Sequence, residues 1–316
     1  MGKHIHLICN AHLNPVWQWE WEEGAAEVLS TFRIAAELCG QYDTFVFCHN
    51  EAILYEWTEQ YAPALFEQIR ELVKREKWHI MGGWYLQPDC NLPCGELMLR
   101  QIEYGRVYFA GKFCVAPTVA VNVDPFGHSR GLVQLLSKTG YTGYLFMRPE
   151  NVDQYIRLPA DEFVWEGYDG SQVTAVRLAD SYNSRRGQAA EKVKAFLDAC
   201  DENGACICLW VIGDHGGGPS KKDLDDLAVL MRQTAQTGNR ISHETPEAYF
   251  EVLRKKDRLP CDRKGYMVWG NIRTGDLTTQ IQWRFTQCSR SGWRFFGVTA
   301  TIRRSLAGAR LMKQGI

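Results

Sequence analysis

The chain has 316 residues, of which 45% are hydrophobic and 23% charged, with a net charge of −1. That size supports a large buried core. The near-neutral charge gives no electrostatic drive toward nucleic acid or an anionic membrane surface, and no run of 18 apolar residues reads as a membrane span.

Strand-like apolar runs lie at residues 4–9, 44–48, 77–81, 118–123, 143–147 and 206–212. Helical spacing lies between them, at 24–39, 63–77, 94–113, 130–140 and 189–204; Leu65, Ile69, Leu72 and Val73, for example, share one helix face. Near-continuous apolar strands alternating with helices predict a parallel sheet covered by helices. At least six such strands in roughly 250 residues favour a barrel over an open sheet. One interruption, "EFVWEGYDGSQVTAVRL" at 162–178, carries Asp-Gly between alternating runs and predicts a β-hairpin.

The last segment differs. After Asp276 the remaining 40 residues hold no acid but seven Arg or Lys. We expect a catalytic β/α domain over residues 1–255, and over 256–316 a truncated or atypical start of a following helical domain. The 11 cysteines have no Cys-x-x-Cys pair, and several sit inside apolar runs. This reads as buried free thiols in a reducing compartment. With no signal-peptide pattern at the N-terminus, a cytoplasmic location is expected.

Polar clusters follow four of the strands: "CNAHLNPVW" after the first, "GGWYLQPDCNLP" after 77–81, "VDPFGHS" after 118–123 and "GDHGGGPS" after 206–212. In β/α barrels the loops after the strands converge on one mouth, where catalytic groups collect. Taken singly, each residue has a plainer reading. His4, His6, His79 and His243 read as hydrogen-bonded core histidines, and an aspartate before proline is a common turn former. "GDHGGGPS" is not a phosphate loop, because Pro219 stands where Lys would be needed. Jointly, His12, Asn14, Asp124 and His215 supply two imidazoles and two oxygen donors, a set suited to zinc.

"AHLNPVW", "GGWYLQPDCNLPCGE", "VDPFGHS" and "GDHGGGPS" stand in the order and spacing of glycoside hydrolase family 38, the α-mannosidases. The chain resembles that family's N-terminal catalytic domain over about residues 4–250. The resemblance implies a seven-stranded β/α barrel with one zinc ion, followed by a helical region, and retaining hydrolysis of α-mannosides. It places the zinc ligands on His12, Asn14, Asp124 and His215 and the nucleophile on Asp124. Asn14 departs from the family, which has aspartate there. The acid/base falls on Asp180 or Asp214. Asp89, Trp84, Trp17 and His128 are the expected substrate contacts. The expected partner is an α-mannoside, with neither nucleic acid nor membrane; self-association stays open. Two other classes compete: a metal-dependent polysaccharide deacetylase-like hydrolase, and a truncated fragment that binds metal or sugar without catalysis.

Overall fold

The computed structural model describes residues 2–125, 127–148, 158, 160–213, 217–256 and 258–262. One compact unit comprises Met1–Leu13 with Ala25–Gly270, and Asn14–Gly24 falls outside it. Of the segment expected over 256–316, the part after residue 262 lies outside the described residues.

Strand β1 (His4–Asn10) is the axis of the first sheet. Its residues from Ile5 onward are buried, as befits a strand covered on both faces. Along one edge it pairs with β8 (Ala205–Trp210). Its other edge is shared: His4–Leu7 pair with β9 (Arg240–His243), whereas Cys9 and Asn10 pair with β2 (Phe47–His49). Beyond β2 lies β3 (Trp78–Ile80), and every pairing in this sheet is parallel.

The second sheet has the order β10-β6-β7-β5-β4. Here β4 (Val119–Asn122), β5 (Gly143–Phe146) and β7 (Gln172–Arg177) run parallel. β6 (Glu162–Glu166) is antiparallel to β7, which is the expected hairpin, and the short β10 (Cys261–Asp262) adds beyond it.

Among the described residues the ladders therefore form two five-stranded sheets, not the closed seven-stranded barrel that was expected. The seams explain the difference. Between β3 and β4 the paired Gly82 and Gly83 adopt positive φ and turn the chain out of the ladder. The indole of Trp84 then donates to Val121 O at 2.9 Å in place of strand pairing. Between β7 and β8 a short contact past the strand ends, Ser184 N to Val211 O at 2.6 Å, takes the place of a ladder.

Helices cover the sheets. In α1 (Trp21–Gln41) Val28, Phe32, Ala35 and Cys39 recur at three- and four-residue spacing and are buried. Next come α2 (Ala52–Tyr61), α3 (Pro63–Lys74), α4 (Gly95–Phe113), α5 (Gly131–Lys138) and α6 (Ala189–Ala199). Two more are fixed by their caps. In α7 (Lys221–Ala235) Ser220 Oγ accepts from Asp223 N at 3.1 Å. In α8 (Pro246–Arg254) Thr245 Oγ1 accepts from Ala248 N at 3.2 Å, with Pro246 opening the first turn. None of the described helices is long and apolar enough to cross a membrane. All ten described cysteines are free.

Gly105 lets α4 lie on the loop after β3. A Cβ there would meet Gly83 O, the Trp84 carbonyl carbon and Tyr85 N, the last at 2.5 Å. Alanine raises intrinsic helix propensity by about 1 kcal/mol. Displacing backbone instead of a flexible side chain costs about 1–3 kcal/mol or more. Gly105→Ala is therefore expected to destabilise the fold. A urea melt should show a lower midpoint at an unchanged m-value; a raised midpoint would mean that the loop yields freely.

Candidate active site

The loops after the parallel strands bring a set of polar groups together. His12 follows β1 and is 5% exposed. Its Nε2 lies 3.4 Å from Asp124 Oδ2 and makes no hydrogen bond of normal geometry. Asp124 follows β4. Its other oxygen, Oδ1, accepts from Arg148 Nε at 2.5 Å, just past β5. Tyr182, beyond β7, packs its ring 4.6 Å from the His12 ring.

Burial works against ionisation of Asp124, but His12 and the Arg148 guanidinium outweigh it and hold the carboxyl below its ordinary range. A half-buried, ionised carboxylate with one oxygen fixed by arginine and the other facing an imidazole can attack an electrophilic carbon or bind a cation.

A second tier supports this centre. His49, at the end of β2, donates from Nδ1 to Asn50 O at 2.6 Å, and burial pushes its pKa down to about 4. It is thus a neutral imidazole at physiological pH. Glu51 is 3% exposed and sits at φ 68°, a left-handed conformation that is strained for a side chain of its size. Its Oε1 accepts from Gln87 N at 2.9 Å, which ties the loops after β2 and β3 together.

Of the residues singled out in the sequence, His12 and Asp124 are brought into contact. Asn14 and Trp17 belong to the Asn14–Gly24 segment outside the compact unit. Within that segment Asn14 O accepts from Trp19 Nε1 at 3.0 Å, and Trp17 is half-buried. Asp214 and His215 lie outside the described residues. Asp89 is buried in the loop between β3 and α4, where its Oδ1 accepts from Asn91 N at 2.8 Å and Leu92 N at 2.9 Å. That oxygen orders its own loop.

Three expectations need correction. Trp84 is fully buried, so its indole packs in the core and cannot present a face to a sugar. His128 is also fully buried. Its Nδ1 meets Tyr144 Oη at 2.6 Å and its Nε2 donates to Arg148 O at 2.9 Å, so it fastens the Asp124 loop to β5 instead of reaching a substrate. Burial pushes its pKa down to about 4. Asp180 is exposed beside Lys192 Nζ at 3.7 Å. That setting is the reverse of the desolvated or anionic one in which a carboxylic acid keeps its proton. Arg148 and Glu51 were missed. Arg148 stands directly after the run "GYLFM", where the strand-end rule would have found it.

A family model, the Glycosyl hydrolases family 38 N-terminal domain, matches residues 2–272. The chain is 31% identical over 257 residues to "Alpha-mannosidase G" of Dictyostelium discoideum, covering 79% of this chain and 23% of that protein. It is 28% identical over 281 residues to human "Alpha-mannosidase 2C1", covering 88% and 26%. The chain thus spans about a quarter of the length of these relatives. The crystal structure of an alpha-mannosidase from Enterococcus faecalis V583 superimposes with a TM-score of 0.70 at 17% identity, over 85% of this chain and 31% of that one.

Proposed function

From a chain that belongs to the glycosyl hydrolases family 38 through that family's N-terminal domain, we propose the catalytic part of an α-mannosidase: a retaining, zinc-assisted glycosidase with Asp124 as nucleophile at the strand ends. The observation that carries this reading is Asp124, a half-buried carboxylate at a strand end, set between the His12 imidazole and the Arg148 guanidinium, which hold it ionised.

The described members of the ligand set fit zinc. His12 Nε2 is buried and lacks a hydrogen-bond partner, and it faces Asp124 Oδ2 across 3.4 Å. Two donors at about 2.0–2.2 Å from one tetrahedral zinc stand about 3.3–3.6 Å apart. Asn14 and His215 complete the proposed set. When bound, the ion supplies positive charge for a pair of neighbouring sugar hydroxyls.

The chemistry of this chain's own residues then follows. An Asp124 oxygen attacks the anomeric carbon, and the bond from that carbon to the leaving oxygen breaks. A carboxylic acid donates its proton to that oxygen. Water next attacks the glycosyl ester and gives a proton back to the same carboxylate, and Asp124 leaves ionised. Arg148 positions the nucleophile through Oδ1. With Asp180 exposed beside an ammonium group, Asp214 is the stronger candidate acid. Asp89, with one oxygen engaged by its loop, is proposed to bind a sugar hydroxyl through the other, and Trp17 to stack on the ring.

The reading is tested by incubating the 316-residue chain with zinc and an aryl α-mannoside, with early NMR of the product. Release of α-mannose supports it. Absence of hydrolysis with zinc bound would instead support the fragment that binds metal without catalysis.

Asn14 offers a separate test. An amide oxygen can ligate zinc, but it brings one negative charge fewer than the aspartate usual in the family. Asn14→Asp is therefore expected to tighten zinc binding by about tenfold or more, read by competition with a chromophoric chelator. Equal affinities would remove Asn14 from the ligand set.

A further inference from the structure

We propose that His4, His6 and Glu244 form a second metal site, for a borderline divalent cation of the zinc class, at the end of β1 away from Asp124. The argument begins with strand register. His4 and His6 are two apart on β1, so their side chains leave the same face. In the parallel neighbour, His4 pairs with Arg240 and His6 with Ser242. The ladder continues as Glu244 N donates to Leu7 O at 3.0 Å. Glu244 is again two residues beyond Ser242, which brings its carboxylate to the two imidazoles.

The three groups converge on one point, and an ion entering there would open the direct His6–Glu244 pair to the roughly 3.3–3.6 Å that two donors on one zinc need. His4 Nε2 lies 3.2 Å from Glu244 Oε1, and His6 Nδ1 lies 2.5 Å from Oε2. The two rings are 4.0 Å apart, and one ligand atom from each residue falls within 4.8 Å of the others. Two imidazole nitrogens and a carboxylate oxygen are a recognised three-ligand set for zinc, with a fourth position left to water.

His6 gives an independent indication. It is 2% exposed, yet neither ring nitrogen makes a hydrogen bond of normal geometry, despite the nearness of the carboxylate. Buried polar groups are seldom left so. A cation that parts Nδ1 from the carboxylate would give that nitrogen a partner of normal geometry. Access is open from one side, because the side chains of His4 and Glu244 are 23% and 16% exposed. Two groups compete for these ligand atoms: Ser242 Oγ, 2.8 Å from His4 Nε2 and donating to Glu244 Oε1 at 2.5 Å, and Arg240, whose Nη2 lies 3.3 Å from Glu244 Oε1 and whose side chain is 69% exposed.

The proposed ion would be structural. Glu244 lies between β9 and the Thr245 cap of α8, and His6 packs against Tyr249 of α8 at 5.2 Å. An ion held there clamps β1 to the β9–α8 connection. Binding only the folded form, it raises the melting temperature as its concentration passes the dissociation constant.

The test uses the full chain carrying His12→Ala and Asp124→Ala, which disable the strand-end ligands. After chelator treatment this chain is expected to take up one equivalent of zinc at pH 7.5, with a melting temperature raised by several degrees. Cobalt(II) in place of zinc should give the visible absorption of a four- or five-coordinate nitrogen–oxygen site. Adding His6→Gln should abolish all three signals while leaving the melt in chelator close to that of the parent. Should His6→Gln fail to fold, Glu244→Gln, which retains the acceptor for Ser242 and His4, carries the same comparison. Absence of zinc uptake by the parent, or retention of the equivalent after His6→Gln or Glu244→Gln, overturns the proposal. The readout is binding and not hydrolysis, so it stands or falls apart from the mannosidase reading.

Discussion

Asp124→Asn is expected to lower kcat/KM for an aryl α-mannoside by about 10⁴-fold or more, equivalent to roughly 5.4 kcal/mol of lost transition-state stabilisation. The substitution is nearly isosteric. The amide oxygen can still accept from Arg148 Nε, which now holds Asp124 Oδ1 at 2.5 Å. A change in fold is therefore not the expected cause of the loss. What disappears is the charged oxygen that forms the bond to the anomeric carbon, and neither His12 nor Arg148 can replace it: one is an imidazole turned toward the carboxylate, the other a cation. Zinc binding should weaken but persist, because the amide oxygen remains a donor. A slow fluorosugar should label the wild-type chain at Asp124 and leave the variant unlabelled, as read by peptide mass spectrometry. If the variant keeps near-full activity, or if the label falls on another residue, the nucleophile lies elsewhere. If the wild-type chain hydrolyses α-mannosides without forming any covalent adduct and with inversion, the two carboxyl groups act across a water molecule, at the wider spacing such chemistry needs.

The parts of this centre that were legible in the sequence are those where local pattern and topology coincide. "HIHLIC" and "TVAVNV" are dense apolar runs ended by polar residues, and both became buried parallel strands, His4–Asn10 and Val119–Asn122. A parallel strand delivers its next residues to the same rim as its neighbours, so strand order alone sets His12 and Asp124 on one rim. Elements with weaker patterns escaped. β9 is only "RISH", with a charge at its start and no apolar run, and its existence depends on pairing with β1. Helix α8 does have a local signature, Thr245-Pro246 followed by Tyr249, Phe250 and Leu253, but at nine residues it is short. Sheet closure could not be read at all, because strand order and the seams at Gly82–Gly83 and Ser184 are long-range facts. The His4–His6–Glu244 cluster has the same origin. The histidines read as core residues until the β1–β9 register set a carboxylate beside them.

Trp84 shows the remaining kind of error, and it makes a quantitative prediction. In "GGWYLQPD" a tryptophan on a strand-end loop reads as a platform for a sugar ring. Which way a side chain points after two positive-φ glycines is not encoded in the motif. In the fold the indole is fully buried between β3 and β4. It donates to Val121 O at 2.9 Å and lies nearly parallel to Tyr141, with ring centroids 6.1 Å apart. Tyr141 in turn donates to Gly82 O at 2.7 Å. Trp84 O accepts from Ala52 N at 2.9 Å, which carries the network to the start of α2. Trp84→Ala is therefore expected to cost about 3–5 kcal/mol from the lost burial and the cavity. That loss should lower the melting temperature by about 6–20 °C in a domain of this size. Trp84→Phe keeps most of the volume but leaves Val121 O without its donor, at a cost of about 1–3 kcal/mol. The two variants separate the core role from the sugar-binding one. A core residue lowers the melting temperature in the order Phe then Ala, while KM for the mannoside in the folded fraction stays within about twofold. A sugar platform would leave the melt unchanged and raise KM, and that outcome would place the indole at the rim after all.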